Sequence, residues 1–578
     1  MVIIDGSVAL IEAIRRMAED ARASASSALG IVTDDEGRFA GAITDGDVRR
    51  HLADGGSLDA PVREVMRPDP VAMPVGTSLD DILRGLPREL ARRSHRSRYL
   101  LDKVVLVDAD ERPVEVVDLR QLLEQRVAVH RHVVVVGLGY VGLTLALVMA
   151  DLGFRVTGVD ADPEVVAGLR DGRSHVHEVG LPTLLRRTLD AGFTPATTMP
   201  EDGDVFVVAV GTPVRDGDVL EGRIGSPDLA ALTAAVDAVG TALRPGGLVV
   251  LRSTVPVGTT TGVVAPRLHE RSGLRPGLDF HLVFAPERTA EGSALRELRS
   301  LPQLIGGMSP ESVEAAAAVF RELSPAIVRT SSAEVAELAK LTNNAYRDLT
   351  FAFANQVAQI GDDLQVDAFE AIRAANQGYP RGRVPLPSPG VGGPCLSKDP
   401  LILAGSAGEE HAAAASLMAS GRRINSAMPG RVARRVAEAL TARTGRGIEG
   451  LRIVAAGLAF KGEPETADLR DSPGVEVATA ARALGFDVVA TDPVATTDAI
   501  AAIGFAADRL ETAVEGASAL LLLNDHRTHR DLDLAVLRGS MARPAVLFDA
   551  WGLHRAADAL AAGFDGYLSY GVTAWTRR

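Results

Sequence analysis

Cysteine is nearly absent: the 578 residues contain one, Cys395. A single thiol excludes an internal disulfide and any zinc site built on cysteines, and it fits a reducing compartment. An excess of positive charge is missing too. Lys and Arg number 61 against 75 Asp and Glu, a formal net charge of -14. That balance argues against non-specific binding to nucleic acid or an anionic membrane. The start, Met1-Val2-Ile3-Ile4-Asp5, lacks the basic region and long apolar run of a signal peptide. One stretch, 133–150, is apolar enough to suggest a membrane span. Its glycines at 137, 139 and 142 and its charged flanks predict a buried strand, turn and helix instead. A soluble, cytoplasmic protein without a metal is expected. Composition is ordinary for globular chains, 46% hydrophobic and 24% charged, and the length suggests three or four domains.

What is present gathers around the one thiol, in Gly390-Val391-Gly392-Gly393-Pro394-Cys395-Leu396-Ser397-Lys398-Asp399-Pro400. A thiol attacks as thiolate, and a nearby cation such as Lys398 lowers its pKa. Glycines admit a ligand close to the backbone, and Asp399 can orient or deprotonate water. The stretch is a candidate for covalent catalysis. A lone cysteine also serves as a small buried apolar residue, and this stretch alone leaves both readings open.

Upstream, strand-like and helical runs alternate. His130-Arg131-His132 marks a boundary, and Val133-Val134-Val135-Val136 reads as a strand buried on both faces. It runs into Gly137-Leu138-Gly139-Tyr140-Val141-Gly142, a helix, and a second strand, 155–159, that ends at Asp160. The glycines allow a tight turn and bring a pyrophosphate to the helix N-terminus. Asp160, 21 residues after Gly139, is placed for ribose hydroxyls and against a 2'-phosphate. NAD is the predicted cofactor. Further strands, 205–210, 248–251 and 280–285, end in Gly211-Thr212-Pro213, Arg252-Ser253-Thr254-Val255-Pro256 and Pro286-Glu287-Arg288. In a parallel sheet these endings share the ligand-binding edge. Residues 331–428 read as helical, with no proline between Ala326 and Gly378, and Lys340, Asn344 and Asp348 share a helix face. Strands at 451–456, 487–491, 519–523 and 546–548 predict a second Rossmann-like sheet beyond a glycine-rich, charged stretch at 441–450. The predicted fold class is α/β, with two doubly wound sheets joined by a central helical domain and preceded by a small α+β module. The domains are 1–125, 130–330, 331–428 and 429–578.

Six ordered motifs carry a resemblance over about residues 132–578. They are Gly137 to Gly142, Ser253 to Thr259, Pro286-Glu287-Arg288, Lys340-Leu341-Thr342-Asn343-Asn344, the Cys395 loop, and Gly457-Leu458-Ala459-Phe460-Lys461. Together they resemble the nucleotide-sugar 6-dehydrogenases, the family of UDP-glucose and UDP-N-acetylhexosamine dehydrogenases. The resemblance implies a four-electron oxidation of C6 of a UDP-hexose through a thiohemiacetal and thioester on Cys395. It gives Lys340 and Asn344 the alkoxide. Asp399 and Lys340 hold a water that takes the first proton, and Glu287 with Thr254 and Asp399 prepares the water for hydrolysis. Thr212, Thr254 and Lys398 join Gly137, Gly139, Tyr140, Val141, Gly142 and Asp160 around NAD. Substrate contacts fall to Glu287, Arg288, Lys340, Asn344, Arg381, Gly392, Lys461 and Arg470.

Pro286-Glu287-Arg288 and Gly378-Tyr379-Pro380-Arg381 resemble the N-acetylhexosamine branch. Pro394 and Lys398 depart from it, since that branch often has His before the Cys and Val before the Asp. The gap from Lys461 to Asp468 is two residues longer than the commonest family version. A dimer or higher homo-oligomer through the central helix, and a place in surface-polysaccharide synthesis, are family expectations. UDP-glucose is the alternative substrate. A two-electron alcohol or hydroxyacid dehydrogenase would need neither Cys395 nor the second sheet, and a non-enzymatic nucleotide sensor would not need this set of polar residues.

The front module shows a weak internal repeat of helix, strand, turn and strand: 8–19, 28–32, 34–38 and up to Ile43, then 77–86, 104–107, 108–111 and 114–123. Ile43-Thr44-Asp45-Gly46-Asp47 and Val62-Arg63-Glu64-Val65-Met66 resemble a tandem CBS pair. That resemblance implies an adenine nucleotide on Thr44 and Asp47. The second copy lacks the Thr-Asp-Gly-Asp turn and carries a basic stretch, 92–98, so one nucleotide site at most is expected.

Overall fold

The computed structural model describes residues 2–23, 29–68, 71–75, 77, 103–118, 131–215, 226–324, 326–406 and 412–576. All but the first residue of the expected helix at 77–86, the basic stretch at 92–98 and the end of the second repeat at 119–123 lie outside the described residues.

The valine run forms the strand His132–Val136, buried along its whole length. It pairs in parallel with Arg155–Val159 on one side and Val205–Val208 on the other. Leu248–Leu251 and His281–Phe284 extend the sheet in parallel, and Gln303–Gly307 runs antiparallel beyond them. Alternation sends Val133, Val135, Val205 and Val207 to one apolar core and Val134, Val136, Phe206 and Val208 to the other. The expected strand 205–210 stops at Val208. Chain order reverses between His132–Val136 and Val205–Val208, which opens a crevice at the strands' carboxyl ends. The apolar stretch suspected of spanning a membrane is this strand, its turn and the helix Tyr140–Asp151, buried from Gly142 to Ala150.

A 32-residue helix, Ala333–Leu364, follows, capped by the Ser332 side chain on Val335 N–H. A second long helix, Ala412–Thr444, crosses the expected 428/429 boundary with Pro429 inside it. Its Met428, Val432, Val436 and Leu440 join the core of the last sheet, and this packing carries the helix past a residue that removes one of its hydrogen bonds. The last sheet repeats the doubly wound plan, with Arg452–Ala456 between Asp487–Thr491 and Ala519–Leu522 and an antiparallel edge at Val572–Trp575. In the front module a four-stranded and a three-stranded sheet pack through Ile31, Ala42 and Val105.

Candidate active site

The turn after the first valine strand is shaped for an anion. The helix Tyr140–Asp151 begins just after Gly139, so its first N–H groups and its dipole face outward. A Cβ on Gly142 would stand 1.8 Å from the Gly137 carbonyl oxygen, whereas Gly139 has open space within 4 Å. Asp160 fastens the turn, accepting from Leu138 N–H at 2.7 Å and Asp162 N–H at 3.0 Å. Thr212 Oγ1 donates to the Thr254 carbonyl at 2.5 Å. Open space at Gly139, free amides and a carboxylate beside them fit a nicotinamide dinucleotide. Tyr140 donates its hydroxyl to the buried Glu178, which also accepts from Gly292 and Ala294 N–H. Glu178, missed by the sequence argument, thereby locks the cofactor turn to the loop after Glu287.

The central helix delivers Lys340, Asn344 and Asp348 on one buried face. Lys340 Nζ donates to the Glu287 carbonyl at 2.6 Å, and Asn344 Nδ2 to Asp399 Oδ2 at 2.6 Å. Asp399 is fully buried and opens the helix Asp399–Gly405, its N–H bonded to the Cys395 carbonyl at 2.9 Å. Lys398 Nζ reaches Asp399 Oδ1 at 3.2 Å. Thiol, lysine, asparagine and aspartate therefore share one neighbourhood. Lys398, expected at the cofactor, is bonded within the cysteine loop.

Cys395 keeps accessible surface, but crowding by the cleft walls desolvates the thiol and pushes its pKa up. Asp399 adds to the rise, and Lys340 and Lys398 oppose it without reversing it. Lys398 acts on the thiol in the expected direction, but burial and Asp399 outweigh it. The thiol is protonated at neutral pH.

Glu287, expected to position or activate water, is paired within the protein. Arg252, fully buried at the end of its strand, donates to Glu287 Oε2 at 2.6 Å, and Oε1 accepts from Arg288 and Thr289 N–H. Burial works against the charge, yet the Arg252 guanidinium and these amides hold Glu287 below its ordinary pKa. Its carboxylate is an anchor. Four residues on, Glu291 behaves oppositely: burial, then the neighbouring Asp468, raise it to about 7 against Arg470 and Lys461. It accepts from Thr466 Oγ1 at 3.3 Å, and its carbonyl accepts from Lys461 Nζ at 2.6 Å. Glu291, Thr466, Asp468 and Arg470 line a cavity of about 370 Å³ that reaches Gly139 and Tyr140. Only the position of Glu291 in a strand's polar ending could have marked it; its burial comes from the opposite domain.

The longer loop after Lys461 seats on that domain, with Gly462 and Glu463 N–H both on Asp525 Oδ1. Three other residues expected at the substrate make contacts within the protein. Arg288 turns to the Pro302 carbonyl, Arg381 lies over the Tyr379 ring in an exposed segment, and Gly392 owes its lack of a side chain to Asp471, whose carbonyl would sit 1.9 Å from a Cβ. A larger cleft of about 700 Å³, between the ends of the two long helices and the last sheet, shares no residue with this cluster. In the front module Asp47 is buried and its oxygens accept from Thr44 N–H, Thr44 Oγ1 and Arg67 Nε.

Comparison with known proteins places each part. Models described as the UDP-glucose/GDP-mannose dehydrogenase family's NAD binding, central and UDP binding domains match residues 131–324, 334–427 and 454–556, and a CBS domain model matches 1–54. The NDP-N-acetyl-D-galactosaminuronic acid dehydrogenase of Ralstonia nicotianae is 36% identical over 70% of this chain and 92% of its own length. The UDP-N-acetyl-D-mannosamine dehydrogenase of Pyrococcus horikoshii is 33% identical over 72% and 94%. A solved structure of the Pyrococcus horikoshii UDP-D-ManNAc dehydrogenase superposes with a TM-score of 0.68 at 32% identity, covering 76% of this chain and 99% of that one.

Proposed function

The chain belongs to the UDP-glucose/GDP-mannose dehydrogenase family, and from that premise we propose that it oxidises C6 of a UDP-N-acetylhexosamine to the carboxylate. It is an NAD-dependent nucleotide-sugar dehydrogenase. The observation that carries the covalent route is the meeting of the only thiol with Lys340, Asn344 and Asp399, within electrostatic reach of Glu291 at the cofactor cavity.

Bound at the Gly137–Gly142 turn, NAD supplies the hydride acceptor for each oxidation. In the first, C6 becomes an aldehyde, and its hydroxyl proton leaves through a water held by Asp399 and Lys340. Cys395 Sγ then adds to the aldehyde carbon, and the thiol proton passes to the aldehyde oxygen, so a protonated resting thiol suffices. Lys340 and Asn344 stabilise that oxygen as charge develops. The second hydride loss from C6 leaves a thioester on Cys395. Water, deprotonated by Glu291, hydrolyses it and returns the thiol. The balance is one water consumed and three protons released with two reduced cofactors. Lys461 and Arg470 face the anionic half of the substrate.

A homodimer is part of the proposal. Tyr346, Phe353, Ile360 and Leu364 are 68%, 59%, 49% and 67% exposed along one stripe of the central helix, opposite the face that holds Lys340 and Asn344. An adenine nucleotide at Thr44 and Asp47 would have to displace Arg67 from Asp47. Cytoplasmic location and surface-polysaccharide synthesis are the settings that fit this chemistry.

NADH formed per sugar tests the function with UDP-N-acetylmannosamine, UDP-N-acetylgalactosamine, UDP-N-acetylglucosamine and UDP-glucose. Two per sugar are expected with an N-acetylhexosamine, and Cys395→Ser should lower complete turnover by at least about 1,000-fold. One NADH per sugar with an unaffected mutant would mean a simple alcohol dehydrogenase.

A further inference from the structure

Both arms of the cysteine loop are held from below by one side chain that the chemistry above does not use. Arg422 Nη1, on the second long helix, donates to the Val391 carbonyl at 3.0 Å and, more weakly, to the Leu396 carbonyl at 3.4 Å. The same nitrogen pairs with Asp348 Oδ1 at 2.7 Å, and Nη2 donates to Ser426 Oγ at 3.0 Å. Asp348 is fully buried and the Arg422 side chain is 6% exposed. Asp348 lies one turn beyond Asn344 and two beyond Lys340 on the central helix, so Arg422 ties the loop to the helix that carries its partners.

Two asparagines extend the tie. Asn425 Nδ2 donates to Asp348 Oδ1 and to its carbonyl. Asn425 Oδ1 accepts from Asn355 Nδ2, and Asn355 Oδ1 accepts from Ser388 N–H at 2.9 Å. The chain is thus held at 388 and 391 before the thiol and at 396 after it. On the other side Gly393 N–H bonds the Asp471 carbonyl, and Ser397 Oγ donates to Asp471 Oδ2. Burying an arginine and an aspartate costs more than packing apolar groups of the same volume. A planar guanidinium, unlike an ammonium, reaches several acceptors in fixed directions.

We propose that Arg422 is a positioning residue for the nucleophile, setting where Cys395 Sγ stands relative to Lys340 and Asn344. It governs the thiol-dependent second oxidation and leaves the first hydride transfer, which needs no thiol, nearly untouched. The inference rests on Cys395 being the nucleophile.

The test compares wild type, Arg422→Lys, Arg422→Gln and Cys395→Ser with NAD and the UDP-N-acetylhexosamine that the wild type turns over. Misplacing a reacting atom by an ångström costs about 100-fold, and the second oxidation in both Arg422 variants should fall by that order. NADH per sugar should drop from two toward one, with the C6 aldehyde captured by hydroxylamine as its oxime. The first hydride transfer should stay within about threefold, and amide hydrogen exchange should quicken across 391–398. Should Arg422→Gln fail to fold, Arg422→Lys keeps the charge opposite Asp348 and carries the test. Two NADH per sugar at undiminished turnover in Arg422→Lys would overturn the proposal, as would an equal fall in both oxidations with unchanged exchange. If Cys395→Ser also completes two oxidations, it is the nucleophile assignment that fails, and the role of Arg422 fails with it.

Discussion

At the scale of single residues, two glutamates four positions apart are pushed in opposite directions by their environments. Glu287 is paired with Arg252 and amide donors and stays ionised. Glu291 is buried near Asp468 and titrates at about 7. A base acts only when deprotonated, so thioester hydrolysis should rise with pH through about 7 and level off above it. Glu291→Gln should abolish that limb and slow hydrolysis by about 100- to 10,000-fold, seen as a burst of NADH followed by stalled turnover. Stability moves the other way. The folded protein binds the Glu291 proton more tightly than the unfolded chain does, so ionising it costs stability as pH rises from the unfolded value near 4.5 through about 7. Above that window Glu291→Gln should be more stable than wild type, by up to about 3 kcal/mol in denaturant titrations at pH 8. Cys395, Lys340, Asn344 and Asp399 were legible because each sits in an ordered motif. Glu291, Arg252 and Glu178 were not, because what distinguishes them is a partner from 35 to 175 residues away, as for Arg252 with Glu287, Glu178 with Gly292 and Glu291 with Thr466, or the loss of water around them.

At the scale of elements, the central helix is two surfaces on one rod. Lys340, Asn344 and Asp348 face the cysteine loop, while Tyr346, Phe353 and Ile360 recur every seven residues on the exposed side. Removing such side chains from water is worth ~1.5–3 kcal/mol each. Tyr346→Glu with Phe353→Glu, present on both copies, should raise the dimer dissociation constant at least about 100-fold, measured by sedimentation. An unchanged oligomer would place the interface elsewhere. The second long helix runs through the expected 428/429 division and ends at Thr444, within the glycine-rich, charged stretch at 441–450, because Met428, Val432, Val436 and Leu440 pack into the core of the last sheet.

At the scale of the whole molecule, the front module stands apart in sequence from the catalytic chain. Its Asp47 already serves Thr44 and Arg67, so a nucleotide competes with the protein's own guanidinium. Arg67→Ala should show a larger melting-temperature rise with AMP, ADP or ATP than wild type, a tenfold gain in affinity adding about 1.4 kcal/mol at saturation. No rise in either protein would remove the nucleotide site. By itself the sequence determined the doubly wound sheets and the dinucleotide turn, and it singled out Cys395 as the candidate nucleophile. Those depend on local periodicity, on glycines that steric contact demands, and on residue types that chemistry cannot replace. Only the tertiary structure decided that Glu287 is held below and Glu291 raised above the ordinary carboxylate pKa, that the Cys395 thiol is pushed up, and that Gly392 has no room for a side chain beside Asp471. Each of these follows from desolvation and from neighbours brought in by other domains, and spacing along the chain carries no record of either.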